Sequence, residues 1–237
     1  MRDRAPFSET TKIVELIEVK RAYAYGWHST FAGGWERIRM SKLGLASTTA
    51  LLDHYGVVGE HRERLERRPR SESEHIEGDG LPRALIRDQK PLLPVHLLER
   101  VLQSGGMTVE EWCLELNRRS YFFVREDRLR RLLRAYAGAE HDVLVVDARK
   151  LVDRYEPAIS LSAINTGAIQ PAYAARGRQT FLSIKDYPAK PSGAPAKPVA
   201  EITVSEPVTD IEDLTVRVER WRGPERVGVV WERNRAC

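Results

Sequence analysis

Val199-Ala200-Glu201-Ile202-Thr203-Val204 opens the part of the chain that decides the fold. The run is β-branched and apolar apart from one carboxylate, which reads as a strand. Leu214 to Val218 and Val227 to Trp231 follow it as further strands, with no helix evident after about Asp213. Working back, Asp142 to Val146 is the clearest core strand, and Tyr121-Phe122-Phe123-Val124 reads as a buried aromatic strand. Ile159 to Leu161, Leu85-Ile86 and Ala22 to Trp27 add shorter ones, and the last would place His28 at a strand end. Strands and helical segments do not alternate regularly, so the class is α+β, not a doubly wound parallel sheet.

Between the strands, Leu129, Leu132, Leu133 and Tyr136 share one face of a helix over residues 126 to 137. Gly34 to Lys42, Ser47 to Tyr55, Val95 to Leu102, Val109 to Asn117 and Asp147 to Tyr155 also read as helices. Thr108 and Glu111 are spaced as a capping box before the fourth of these. Residues 60 to 80 are almost wholly charged and polar, which suggests a solvated excursion with one short helical run. Residues 162 to 198 are irregular apart from Phe181 to Ile184, and the Pro-rich segment 188–198 reads as an exposed loop. Only 39 residues follow that segment, too few to fold alone, so residues 1–237 are expected to form one domain.

The chain has 38 Lys plus Arg against 34 Asp plus Glu, a net charge of +4 that by itself distinguishes no partner. Thirty of the basic residues are Arg, a bias that coding composition alone could produce. Residues 118 to 134 nevertheless carry seven Arg against Glu126 and Asp127, a local charge suited to phosphates. No apolar run reaches the ~20 residues of a membrane helix, and residues 1–9 have no signal-like apolar core. A cytoplasmic protein with no membrane association is expected. Cys113 and Cys237 supply neither a disulfide framework nor a metal set, so no metal is expected.

Phosphate-binding loops, G-x-G-x-x-G, G-x-S-x-G and H-E-x-x-H motifs do not occur. What remains is a set of polar residues near strands. His28-Ser29-Thr30 fits a ribose diol as well as it fits a half-buried structural histidine. Arg87-Asp88-Gln89 fits a phosphate or amide, or a simple turn. Tyr121 and Phe122 offer rings for stacking, or form plain core. Glu201 either points to solvent by alternation or occupies a cavity where its charge has a use.

In order along the chain, His28-Ser29-Thr30, Trp35-Glu36-Arg37-Ile38, Leu43-Gly44-Leu45, the aromatic strand Ser120 to Val124, and Glu201 followed by Pro207 and Ile211 resemble the DarT family of ADP-ribosyltransferases. The whole chain also resembles an uncharacterised bacterial family of unknown function, through Leu45 to Leu52, Ile86 to Gln89, Leu116 to Phe123, Asp142 to Asp147, Asn165-Thr166-Gly167 and Arg176-Gly177. The DarT resemblance implies a split, mainly antiparallel sheet of ADP-ribosyltransferase type with helical insertions, and NAD as substrate. It implies Glu201 and Arg87 as catalytic residues. His28, Thr30, Gln89, Arg119, Tyr121 and Phe122 would hold NAD, with Arg87 and Arg119 as alternatives for the diphosphate. Asn165, Tyr173, Arg176 and Arg178 would meet the acceptor, a nucleic-acid base with DNA favoured. A toxin or phage-defence role, and an antitoxin partner, go with that reading. The alternatives are an NAD glycohydrolase using the same cleft, a non-catalytic nucleic-acid-binding protein, and a degenerate transferase fold serving protein interaction.

Overall fold

Runs of buried β-branched residues set the frame. In the computed structural model, which describes residues 16–169 and 176–234, the strands are β1 (Tyr25–Phe31), β2 (Glu74–Ile76), β3 (Ala84–Ile86), β4 (Ser120–Phe123), β5 (Glu140–Asp147), β6 (Ile159–Ser162), β7 (Glu201–Val204), β8 (Thr215–Arg222) and β9 (Glu225–Glu232). The helices are α1 (Leu16–Ala22), α2 (Gly34–Met40), α3 (Thr48–His54), α4 (Gly59–Arg67), α5 (Val95–Gln103), α6 (Val109–Asn117), α7 (Glu126–Arg134), α8 (Ala148–Tyr155) and α9 (Ile211–Leu214). Seven strands form one sheet in the order β6-β7-β4-β1-β5-β8-β9, every neighbouring pair antiparallel, and β2 and β3 form a separate ribbon. The chain is a single α+β domain, as the sequence leads one to expect. None of the described helices is long and apolar enough to cross a membrane.

Alternation gives the sheet two apolar faces. Phe122, Leu144, Val146, Leu161, Ile202 and Val204 project to one side, where Leu151 and Val152 of α8 cover them. Phe123, Val143 and Trp221 project to the other, under Leu129 and Leu133 of α7. Each such side chain contributes roughly 1.5–3 kcal/mol by leaving water. The arginines of α7 consequently stay on its wet side, as its periodicity predicts. Asp147 caps α8 by accepting from the backbone of Arg149 and Lys150, and the Thr108–Glu111 capping box of α6 is present. Asp142 on β5 accepts from the backbone N–H of Gly33 (2.8 Å) and Trp35 (3.3 Å), fixing the start of α2 against the sheet.

Three expectations need correction. The polar segment 60–80 keeps most of its residues exposed, as expected, but it is anchored: Leu65 of α4 and Ile76 of β2 are buried with Leu52, Val57 and Ile86. Some of its charges meet inside the segment, as when Arg64 forks onto Glu74 at 2.7 and 2.8 Å, and others reach outside it, as Arg67 does to Glu110. Arg70 is buried there, donating to Asn117 Oδ1 through both terminal nitrogens (3.1 Å each), while Asn117 Nδ2 donates to Glu66 O (2.7 Å). Next, β1 starts at Tyr25 and runs to Phe31, so His28 is central in its strand, not terminal. Finally, Phe181 to Ile184, the one stretch set apart from the irregular segment, is no regular element; Leu182 makes an isolated bridge to Leu161 before a 3-10 turn at Ile184–Asp186. The Pro-rich loop is mostly exposed, as expected, with buried Tyr187 and Val199 anchoring its ends.

One join in the sheet is thin. β1 matches β5 over seven register pairs but meets β4 at one, Trp27 with Phe123. Gly26 permits this approach, since a Cβ there would lie 3.1 Å from Phe122 Cβ. Past Trp27 the two strands part.

Candidate active site

Backbone groups along a parting of strands need other partners. Two side chains supply them. His28 Nδ1 lies 2.9 Å from Tyr121 O, and Arg87 Nη1 donates to Ser29 O at 3.3 Å. A carbonyl only accepts, so His28 Nδ1 carries the hydrogen and Nε2 is left as an acceptor. Burial, together with nearby Arg87, lowers the His28 pKa to about 4, so the ring is neutral at pH 7. The Arg87 guanidinium lies 4.1 Å from the Tyr136 ring centre and 5.1 Å from that of Phe31. Among the described residues its Nε and Nη2 are buried without a hydrogen-bond partner. Such orphaned donors are costly to maintain and are where an anion or carbonyl would be held.

Glu201 sits two strands away. Its register partners are Phe123 on β4 and Ser162 on β6, so alternation sends its side chain to the α7 face. There it is 1 % exposed. Thr166, from the loop after β6, closes over it: the hydroxyl donates to Oε2 at 2.7 Å, and the backbone N–H approaches Oε1 and Oε2 at 3.3 and 3.2 Å. Burial raises the Glu201 pKa to about 7, opposed by Thr166 and by the charges of Arg176 and Arg128. Near neutral pH the group is therefore divided between its acid and its carboxylate. The buried Tyr121 hydroxyl feels the same carboxylate; desolvation, then Glu201, push its pKa well up, and it donates to Leu116 O at 2.9 Å. Tyr121 thereby joins the strand gap, through its carbonyl, to the Glu201 environment, through its ring.

Beside Glu201 opens a groove of about 910 Å³. Ser162 and Ala163 line it next to the carboxylate, the start of α7 contributes Arg125 and Arg128, the segment before the Pro-rich loop contributes Arg176 and Arg178, and the end of that loop contributes Lys197. Among the described residues no Asp or Glu lines it. Gly105 and Gly177 make one wall, with backbones so close that a Cβ on Gly105 would lie 1.8 Å from Arg176 O. Arg176 itself is buried and donates to Ala168 O. Arg125 forks onto Asp127 (2.9 and 3.2 Å) and Arg178 reaches Glu111 (3.3 Å), so part of the positive field is balanced just outside the groove. A concave, one-signed lining of this kind concentrates anions.

The residues singled out from the sequence divide between these places. His28, Arg87 and Tyr121 meet at the strand gap, Arg176 and Arg178 line the groove, and Glu201 is buried beside it, opposite Ser162 in register. Arg119 packs against Phe181 (4.3 Å to the ring centre) and bonds Glu115, with its Nε buried and unpartnered. Phe122 does not fit a stacking role: it is 0 % exposed in the main core, on the opposite face from Glu201. Thr30 lies under the start of α2, where a Cβ on Gly34 would be 2.4 Å from its hydroxyl. Gln89 is used internally, donating to Asn117 Oδ1 at 3.3 Å. Asn165 is buried beside Thr166, and Tyr173 lies outside the described residues. Reading the sequence missed Thr166 as a partner of Glu201 and Lys197 as part of the groove lining. The arginine run was visible as charge, but its role as a groove wall depends on Gly105 meeting Gly177.

Neither a curated protein nor a solved structure matches the chain. A family pattern does match, over residues 25–215, from the first residue of β1 to the first of β8, and so includes the strand gap, Glu201 and the groove. The chain belongs to that family, a family of unknown function designated DUF7002.

Proposed function

We propose that this chain is an NAD-cleaving ADP-ribosyltransferase whose acceptor is a nucleic-acid base, DNA being favoured. The observation that carries the reading is Glu201: a carboxyl buried on β7, poised near neutrality, beside a groove lined by Arg125, Arg128, Arg176, Arg178 and Lys197 and, among the described residues, by no carboxylate. The parting of β1 from β4 supports it as well, because the resemblance to DarT enzymes calls for a split sheet with a histidine and an arginine at the split.

In this reading Arg128 and Arg176 attract the diphosphate; His28, the register partner of Leu144, lies on the face opposite Glu201, and its part is to hold β1 to the Tyr121 carbonyl at the split. The glycosidic C–N bond breaks, its electron pair leaving with the nicotinamide nitrogen, and positive charge develops on the ribose C1′ and ring oxygen. Ionised Glu201 stabilises that charge, the kind of interaction that usually supplies the largest catalytic contribution. A lone pair of the acceptor base then forms the new bond to C1′, and the proton released goes to Glu201 or to water. Thr166 bonds both carboxylate oxygens, so a ribose hydroxyl has to displace one of these contacts. Arg178 and Lys197 at the groove suit acceptor phosphates.

The test is incubation with NAD labelled separately on nicotinamide and on adenylate, with single-stranded DNA, RNA or no polymer. Nicotinamide release coupled to adenylate label on DNA is expected. Release without labelled polymer would favour the glycohydrolase, and no release would overturn both. Exposed Arg131 and Arg134, which make no ion pair among the described residues, favour one further reading, non-catalytic nucleic-acid binding. Its mark is salt-sensitive binding indifferent to Glu201→Gln and to NAD.

A further inference from the structure

Outside the site, β9 stands apart. It ends the seven-stranded sheet, and apart from Trp231 all of its residues are exposed. Val227, Val229 and Val230 are 58, 53 and 45 % exposed, although β-branched residues in a strand normally find a partner surface. Val227 and Val230 are bulged residues that oppose nothing on β8. An edge of this length presents a row of backbone donors and acceptors to any strand that can match it.

We propose that β9 is a dimerisation edge, pairing antiparallel with β9 of a second copy about a two-fold axis at Val229. The sequence of the strand is self-complementary in that register. Val229 faces its own copy, Gly228 faces Val230, Val227 faces Trp231, and Arg226 faces Glu232 on both sides of the axis. Slipping by one residue in one direction sets Glu225 against Glu232, and in the other sets Arg226 against Arg233. Like charges opposed across strands are unfavourable, so the ends select the register that the valines fill. The Arg226 side chain is 54 % exposed even with its contact to Glu219, which leaves it able to reach across. Pairing would join two sheets into one continuous sheet, and the partner is a second copy of this chain.

The register fixes the test. Residues that face themselves across an antiparallel pair have Cα atoms about 4.5–5.5 Å apart, within the range a disulfide spans. With Cys237 replaced by Ser, full-length Val229→Cys should form a covalent dimer under mild oxidation. Val227→Cys should not, because its copies lie roughly 13 Å apart along the strands. Sedimentation velocity should show wild type shifting from monomer to dimer across the micromolar range, and Val229→Lys remaining monomeric. Glu232→Arg should weaken the dimer, and adding Arg226→Glu should restore it. Circular dichroism checks that each variant folds. A wild type that stays monomeric at all concentrations, a Val229→Lys dimer as tight as wild type, or equal cross-linking at positions 227 and 229 would overturn the proposal.

Discussion

Replacing Glu201 by Gln retains the side-chain shape and removes the charge that burial penalises. In the folded chain this carboxyl titrates at about 7, against an ordinary value of 4.5, with desolvation as the main cause. Below pH 4.5 folded and unfolded chains both hold the proton. Between 4.5 and 7 only the folded chain does, so stability is lost as pH rises, and above 7 the loss is complete. At ~1.4 kcal/mol per pH unit the full effect is roughly 3 kcal/mol. Gln pays no such penalty and can still accept from the Thr166 N–H while its amide donates to the Thr166 hydroxyl. Urea unfolding of both proteins at pH 5 and pH 8 should therefore show the difference moving in favour of Glu201→Gln by about 2–3 kcal/mol between the two. A difference independent of pH would refute the placement of Glu201 as a desolvated carboxyl.

Three other perturbations follow from the same geometry. His141 is 0 % exposed with its pKa lowered to about 4, chiefly by burial and then by Arg87. Its contribution to stability is present above pH 6.5 and lost as pH falls towards 4, so His141→Phe should reduce acid destabilisation over that window by up to roughly 3 kcal/mol, measured by thermal melts. Asn117→Ala takes acceptors from Arg70 and Gln89 and a donor from Glu66 O, and should cost roughly 2–4 kcal/mol in chemical denaturation. Gly105→Ala forces its backbone from Arg176 O and should destabilise by about 1–3 kcal/mol, whereas Gly138→Ala, with nothing within 4 Å, should be neutral.

The parts of the fold legible in the sequence are those whose partners do not matter. Val143 to Val146 announces a core strand by composition, and Leu129, Leu132 and Leu133 announce the buried face of α7 by spacing alone. Glu201 was less legible, because alternation makes solvent its ordinary destination. What buries it is Thr166, from a loop after β6, and nothing local in either stretch records the contact. The segment 60–80 misled for a related reason: a charged run signals water unless its charges meet each other, as Arg64 and Glu74 do, or a distant acceptor, as Arg70 finds in Asn117. Phe122 and Tyr121 are adjacent aromatics with opposite fates, one in the main core and one towards Glu201, and the choice depends on the register that β4 takes with β7.

Nicotinamide release from NAD by wild type and by Glu201→Gln, measured at pH 7.5 with single-stranded DNA present and with folding verified by circular dichroism, bears most directly on the proposed role of the buried carboxyl. The account predicts release by wild type and a loss of at least 100-fold, roughly 3 kcal/mol of transition-state stabilisation, in a variant that is folded and no less stable. Equal rates in the two proteins, or no release from wild type, would contradict it.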